Sequence, residues 1–80
     1  MAINLLRLPA TKGCTGLSRS TIYLRITQGT FPKPVSLGGR SVAWPEAEVS
    51  AVNAARIAGK SDEEIRALVR QLEAARKVVA

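Results

Sequence analysis

The sequence predicts a mainly helical domain with one small β-hairpin and a C-terminal amphipathic helix. Three observations lead to this prediction. Residues 17–29 have the hydroxyl start and the glycine end of a short helix, a Gly-Gly pair follows between two β-prone runs, and residues 61–80 carry a regular apolar stripe. At 80 residues, the chain has the size of one small domain.

The composition argues against several classes of protein. The chain has no His and a single Cys, Cys14, so it offers no zinc or iron–sulfur site and no internal disulfide. Without a His to activate it, Cys14 is expected to be an apolar filler in or beside the core. We expect no catalytic residue, metal, cofactor or small-molecule substrate. No apolar run is long enough to span a membrane and no secretion signal is recognisable, so a cytoplasmic protein is expected.

Excess positive charge is confined to the first half of the chain. Residues 1–45 contain six basic residues and no acidic residue, whereas residues 46–80 contain six of each. A cationic half beside a neutral half predicts a polyanionic partner on one side of the molecule. The alternative is an unspecialised basic surface kept for solubility, although such surfaces more often mix both signs.

The first two predicted helices have the spacing of a helix-turn-helix. Residues 9–15 predict a short helix that begins at Pro9 and stops at Gly16. A second helix begins at Ser18, a residue suited to cap it, and ends before Gly29. A tight turn between two such helices is typical of DNA-binding domains.

The outer face of the second helix is suited to contact DNA. Its apolar residues Ile22 and Ile26 face inward at i and i+4. Outward-pointing residues are Ser20, Tyr23, Leu24 and Thr27, with Arg19 at the helix start. Hydroxyl, phenol and guanidinium groups can bind phosphates and base edges. These features predict a recognition helix, and an ordinary amphipathic surface helix is the alternative.

Residues 32–44 predict a hairpin that turns at Gly38-Gly39. The predicted cross-strand pairs are Leu37–Arg40, Val35–Val42 and Lys33–Trp44, with Val35, Leu37, Val42 and Trp44 on one face. Because prolines at positions 32 and 34 lack donors, the first strand should lie at an edge.

The tip and the base of this hairpin have different predicted roles. Arg40 at the tip predicts a wing that reaches the DNA backbone or minor groove, with an ordinary solvated charge as the alternative. Trp44 is expected to anchor the wing to the core and not to stack on bases.

Two further helices are predicted after the wing. Pro45 begins the first, with Glu46 and Glu48 in its opening turn. In the last helix, Ser61 and Glu64 form a capping box. Predicted i,i+4 ion pairs on this helix are Asp62–Arg66 and Glu73–Lys77.

The apolar stripe of the last helix consists of Ile65, Leu68, Val69, Leu72, Ala75 and Val79. It either packs on its own domain or pairs with a second copy, which would present two recognition helices to adjacent half-sites. In the second case the oligomerisation candidates are Ile65, Leu68, Val69 and Leu72. We therefore divide the chain into a DNA-binding domain over residues 1–59 and a C-terminal helix over residues 60–80.

Residues 5–49 resemble the AlpA family of prophage and genomic-island transcriptional regulators, relatives of excisionases with a MerR-like winged-helix fold. The resemblance lies in LSRSTIY, FPKPV, a Gly-bearing turn followed by Arg, and W-P-x-x-E-V. It implies sequence-directed binding of double-stranded DNA, with control of transcription or of the excision of an integrated element. It also implies a bacterial, nucleoid-bound location.

The resemblance completes the set of DNA-binding candidates. In the recognition helix they are Ser18, Arg19, Ser20, Thr21, Tyr23, Leu24, Arg25 and Thr27. In the wing they are Lys33, Arg40 and Ser41. Family members usually have an Arg followed by a hydrophobic residue where this chain has Leu24-Arg25. Arg25 therefore either reaches a phosphate or covers the core, and Leu24 either contacts a thymine methyl or lies exposed.

The predicted function is that of a DNA-binding transcriptional regulator of a prophage or genomic island, with a winged helix-turn-helix. An excisionase-like architectural factor is a neighbouring alternative. A protein-interaction module that works through the C-terminal helix is an alternative of a different class.

Overall fold

A computed structural model describes the backbone of residues 4–79 and the side chains of residues 4–76. The elements in this range are β1 (Leu5–Leu6), α1 (Leu8–Thr15), α2 (Arg19–Gln28), β2 (Val35–Gly38), β3 (Ser41–Pro45), α3 (Glu46–Ile57) and α4 (Asp62–Val79). These helices and a small antiparallel sheet, ordered β1-β3-β2, are compatible with a winged helix-turn-helix. The predictions for the side chains of Lys77 and Val79 lie outside the described residues.

The turn between α1 and α2 forms where the sequence predicts it. Gly16 takes the left-handed conformation at the end of α1, with φ of 70°. The Ser18 hydroxyl accepts the backbone N–H of Thr21 at 3.2 Å and so caps α2. Between the helices, the Leu17 N–H donates to Thr15 Oγ1 at 3.2 Å, which holds the turn closed.

A polar residue of α3 completes the end of α1. The side-chain amide Nδ2 of Asn53 donates to the Cys14 carbonyl at 3.0 Å. That carbonyl is one of the acceptors that a helix end leaves without an internal partner. Asn53 thus joins α3 to the end of α1 through its side chain. The Cys14 side chain itself is exposed, so the expectation that it fills space in or beside the core was wrong.

The core is centred on Trp44, which is fully buried. Its Nε1–H donates to the Pro32 carbonyl at 2.9 Å, and the ring of Phe31 meets it edge-on with centroids 6.2 Å apart. Members of the buried apolar cluster are Ile22, Phe31, Trp44, Val49, Val52, Ile65 and Val69. The prediction that Trp44 anchors the hairpin to the core is confirmed.

The register of the hairpin differs from the predicted one. The observed pairs are Val35–Ala43, Ser36–Val42 and Gly38–Ser41. Leu37 is therefore an extra residue in β2 and is 45% exposed, and the turn moves to residues 39 and 40. Trp44 faces Leu6 of β1. The predicted pairs and the shared apolar face of Val35, Leu37, Val42 and Trp44 were wrong, whereas the edge position of β2 is confirmed.

Local hydrogen bonding accounts for the changed register. The Ser36 hydroxyl accepts the Gly38 N–H at 3.2 Å, which draws the chain into a bulge at Leu37. Gly38 and Gly39 have φ of 107° and 57°, a backbone conformation that other residues adopt at a cost. The glycines therefore serve the bulge and the turn together.

The apolar stripe of α4 packs on its own chain from Ile65 to Leu72, whereas Ala75 is exposed. Ile65 and Val69 are 0% and 4% exposed and belong to the core, while Leu68 and Leu72 are half-buried. A chain that ended at residue 59 would lack two core side chains. Pairing of α4 with a second copy stays a prediction, for which only Leu68 and Leu72 retain exposed surface among the four candidates.

The far end of α4 is joined to α3 by an ion pair whose carboxylate is nearly buried. The Glu48 side chain is 9% exposed and receives two hydrogen bonds from Arg76, Nε to Oε2 at 2.9 Å and Nη2 to Oε1 at 2.6 Å. The bond to Glu48 raises the pKa of Arg76. Such a bidentate pair neutralises a carboxylate that water hardly reaches.

The predicted ion pair Asp62–Arg66 was wrong. Asp62 is bonded to Arg56 at 3.1 Å, and Arg66 is bonded to Glu63, one turn away on α4, at 2.8 Å. Arg66 Nε also donates to the carbonyl of Gln28 at 2.9 Å, and this contact with the end of α2 favours the observed orientation of the Arg66 side chain.

No helix within residues 4–79 is long and apolar enough to cross a membrane.

Replacement of Arg76 by Ala should destabilise the fold. The substitution leaves the nearly buried Glu48 carboxylate without its cation, so we expect the free energy of unfolding to fall by about 2–3 kcal/mol. Urea denaturation followed by circular dichroism measures this. Arg70→Ala is the matched control, since Arg70 is an exposed cation on the same helix, and should change stability by less than about 0.5 kcal/mol. Equal losses in the two variants would contradict the role of the pair.

Acid should loosen the start of α4 through Glu64. The Ser61 N–H and hydroxyl donate to Glu64 Oε1 at 3.2 and 3.1 Å. These hydrogen bonds, with the nearby charge of Lys60, lower the pKa of Glu64. A carboxyl whose pKa is lower in the folded state stabilises the fold above its unfolded-state pKa, and this contribution is lost as the pH falls through the folded-state pKa.

We therefore expect the Tm of the natural chain to fall more steeply than that of Glu64→Gln between about pH 6 and pH 3. The glutamine still offers an acceptor to Ser61 but carries no charge to lose. Thermal denaturation at several pH values measures the difference, and parallel Tm curves would contradict it.

Candidate nucleic-acid interface

One face of α2 is open to solvent along its whole length. The exposed positions are Arg19, Ser20, Tyr23, Leu24, Thr27 and Gln28. They are spaced at i, i+3 and i+4 and therefore form one continuous surface. The opposite face packs through Ile22, which is fully buried, and Ile26 against the core. The ten-residue helix α2 thus exposes hydroxyl, phenol, amide and guanidinium groups to solvent.

Tyr23 connects this face to the core. Its ring lies edge-on to Trp44 with centroids 6.4 Å apart and is 38% exposed. The Arg19 guanidinium lies 5.8 Å from the centroid of the Tyr23 ring, within the range of a cation–π contact. The ring therefore supports the guanidinium, whose fork of donors matches a phosphate or the paired acceptors of guanine.

The other helix candidates have more specialised surroundings. Ser18 lies at the N-terminus of α2, where its hydroxyl is occupied by Thr21. Thr21 and Arg25 are half-buried and flank the exposed face. The Thr27 hydroxyl donates to the Tyr23 carbonyl at 3.1 Å. Leu24 is 55% exposed, which agrees with its predicted outward position.

The wing candidates lie on a separate element. Arg40 is exposed in the turn between β2 and β3, and Lys33 is exposed just before β2. Ser41 is half-buried and pairs with Gly38. Among the described residues, no hydrogen bond joins the Arg40 side chain to α2. The structure therefore brings Arg19 and Tyr23 together on α2, whereas the basic residues Lys33 and Arg40 belong to the chain before and within the hairpin.

Basic residues in the two halves of the chain are used differently. The cations that form ion pairs are Arg56, Lys60, Arg66 and Arg76, and all belong to the second half. None of the first-half cations forms an ion pair within the part of the chain that the structure describes. The first-half residues are Arg7, Lys12, Arg19, Arg25, Lys33 and Arg40. Their charge is available to an external polyanion.

Gln28 is a candidate that the sequence prediction omitted. It is exposed one turn after Leu24 on the same face, and a glutamine amide can form two hydrogen bonds with adenine. Extending the i+4 spacing from Ser20 through Leu24 reaches it, so the helical period already contained the signal.

An open helix face, a basic hairpin tip and unpaired cations on the same half define a candidate nucleic-acid-binding domain. Comparison with known proteins gives the family. The model of the family described as "Prophage CP4-57 regulatory protein (AlpA)" matches residues 4–56. The chain belongs to this family, and the resemblance noted in its sequence is confirmed.

Two curated relatives extend this result. A protein of Enterobacteria phage P4, "Uncharacterized protein ORF88", is 56% identical over 55 residues, which cover 69% of this chain and 62% of the phage protein. "DNA-binding transcriptional activator AlpA" of Escherichia coli (strain K12) is 44% identical over 54 residues, which cover 60% of this chain and 77% of that protein. No solved structure matches the chain.

Proposed function

We propose that this protein is a sequence-specific regulator of transcription in a prophage or genomic island, and that it acts on double-stranded DNA in the bacterial cytoplasm. Support comes from the family and from a relative described as a DNA-binding transcriptional activator. The observation that carries the proposal is the uninterrupted exposed face of α2 on the half of the chain whose cations are unpaired.

In the proposed complex, α2 lies in the major groove. Arg19 is at the N-terminal end of the helix, where helix-turn-helix proteins most often contact base edges. Its guanidinium has support from the Tyr23 ring, which reduces the freedom lost when it binds. Ser20, Thr27 and Gln28 supply further hydrogen-bonding groups, and Leu24 supplies an apolar contact suited to a thymine methyl.

The wing has a complementary role in this proposal. Arg40 at the turn and Lys33 before β2 bind phosphates beside the contacted groove, and so set the register of α2 without reading sequence themselves. Each phosphate contact releases counterions, so total affinity falls steeply with salt. Base discrimination then depends on α2, and the larger part of the affinity depends on the distributed cations.

Fluorescence anisotropy on labelled duplexes tests the function. We expect a fragment from the promoter or attachment region beside the chain's own gene to bind at least about a hundredfold more tightly than its scrambled counterpart at the same salt. Equal, salt-sensitive binding to every duplex would overturn sequence-specific regulation and leave only a basic surface. A preferred fragment in the attachment region alone would instead favour the excisionase-like alternative.

Arg19→Ala should weaken binding to the preferred fragment about tenfold or more, because it removes a supported bidentate donor. Arg19→Lys is the matched control: it keeps the charge but loses the planar fork. If Arg19 reads a base, the lysine variant loses discrimination almost as fully as the alanine variant. If it binds only phosphate, the lysine variant behaves like the natural chain. Unchanged binding by Arg19→Ala, with a normal circular dichroism spectrum, would contradict either role.

A further inference from the structure

In the connection between α2 and β2, residues 29–34, the N–H groups of Gly29 and Thr30 donate to carbonyls at the end of α2, and the later backbone groups lie beyond the reach of that helix. Two of its residues are prolines, Pro32 and Pro34, and so lack an N–H donor. Thr30, Phe31 and Pro32 are buried, where an unpaired backbone group is costly. The segment joins the proposed recognition helix to the wing, so its conformation sets their relative position.

Side chains of α4 supply three hydrogen-bond partners to backbone groups at the two ends of this connection. Arg66 Nε donates to the Gln28 carbonyl at 2.9 Å. Glu73 Oε2 accepts the Lys33 N–H at 2.9 Å. Arg76 Nη2 donates to the Lys33 carbonyl at 2.7 Å. The ends of the connection are therefore held by three residues of one helix, while Trp44 holds the Pro32 carbonyl between them.

These three residues lie outside the region that the family model matches, which ends at residue 56. Positions 66, 73 and 76 are separated by seven and three residues, and this spacing places them on one face of the helix. A helix that only completed the core needs its apolar residues alone. Here, polar residues of that helix also bind both ends of the segment between α2 and the wing.

We propose that Arg66, Glu73 and Arg76 are positioning residues for DNA recognition. They fix the separation of α2 from the wing, so that α2 reads bases while Lys33 and Arg40 contact the backbone of the same site. This inference rests on the proposed function. Without these contacts, the two DNA-binding elements can each still attract DNA, but they no longer fit one site together.

Glu73 gives the sharpest test because its charge has the wrong sign for DNA. Removing a carboxylate from a DNA-binding protein favours binding on electrostatic grounds. Glu73→Ala and Glu73→Gln both remove that charge, but only the glutamine keeps an acceptor for the Lys33 N–H. Comparison of these two variants therefore separates the effect of the lost hydrogen bond from the effect of the lost charge.

We expect Glu73→Ala to bind the preferred fragment about tenfold more weakly than the natural chain, with no loss of affinity for scrambled duplex. Glu73→Gln should retain preferred-fragment affinity within about twofold. Glu73→Asp keeps the charge on a shorter side chain and should lie between the natural chain and Glu73→Ala. Circular dichroism verifies that each variant is folded. If Glu73→Ala does not fold, Glu73→Asp replaces it in the comparison with Glu73→Gln.

The fluorescence of Trp44, the only Trp in the chain, supplies a readout without DNA. Its indole binds the connection through the Pro32 carbonyl, so its emission should shift in Glu73→Ala and remain near that of the natural chain in Glu73→Gln. Equal preferred-fragment affinities for these two variants, or a loss of affinity without a shift in emission, would overturn the positioning role. Failure of the natural chain to discriminate between duplexes would instead overturn the proposed function itself.

Discussion

The burial of Trp44 is the interaction on which the rest of the structure depends. A fully buried indole must find an acceptor for its N–H, and the Pro32 carbonyl provides it. This bond joins the central strand of the sheet to the segment that follows α2. Tyr23 and Phe31 then pack edge-on against the same ring. Helix α2, the connection and the hairpin therefore share one apolar centre, which a domain of this size could not duplicate.

The sequence predicted the features that depend on near neighbours. The start of α2 at Ser18, the stops at Gly16 and Gly29, and the capping box at the start of α4 involve groups within a few positions of each other. Their physical rules are local and can be read from residue types. The predicted register of the hairpin was wrong because one further local contact, between the Ser36 hydroxyl and the Gly38 N–H, outweighed the two-residue turn expected at Gly38-Gly39.

Contacts between distant positions were outside the reach of the sequence. Arg66 had a suitable partner one turn away in Asp62, yet it binds Glu63 and the Gln28 carbonyl, 38 positions earlier. Glu48 was expected only to favour the start of α3, yet it neutralises Arg76. Helical spacing states which residues can meet on one helix, but the packing of α4 against the domain decides which of them do. The exposed face of α2 was predictable because it follows from period alone.

The division of charge follows from this packing. Among the second-half cations whose side chains are described, Arg56, Lys60, Arg66 and Arg76 form ion pairs. These four stabilise the fold and add little free charge, whereas Arg70 is exposed. The cations of the first half have no such partners within the described residues. The folding unit therefore extends beyond the family-matched region, since Ile65 and Val69 complete its core. Because α4 also touches the connection, the proposed positioning role means that changes in α4 would alter the spacing of α2 and the hairpin without changing any residue of the exposed face of α2.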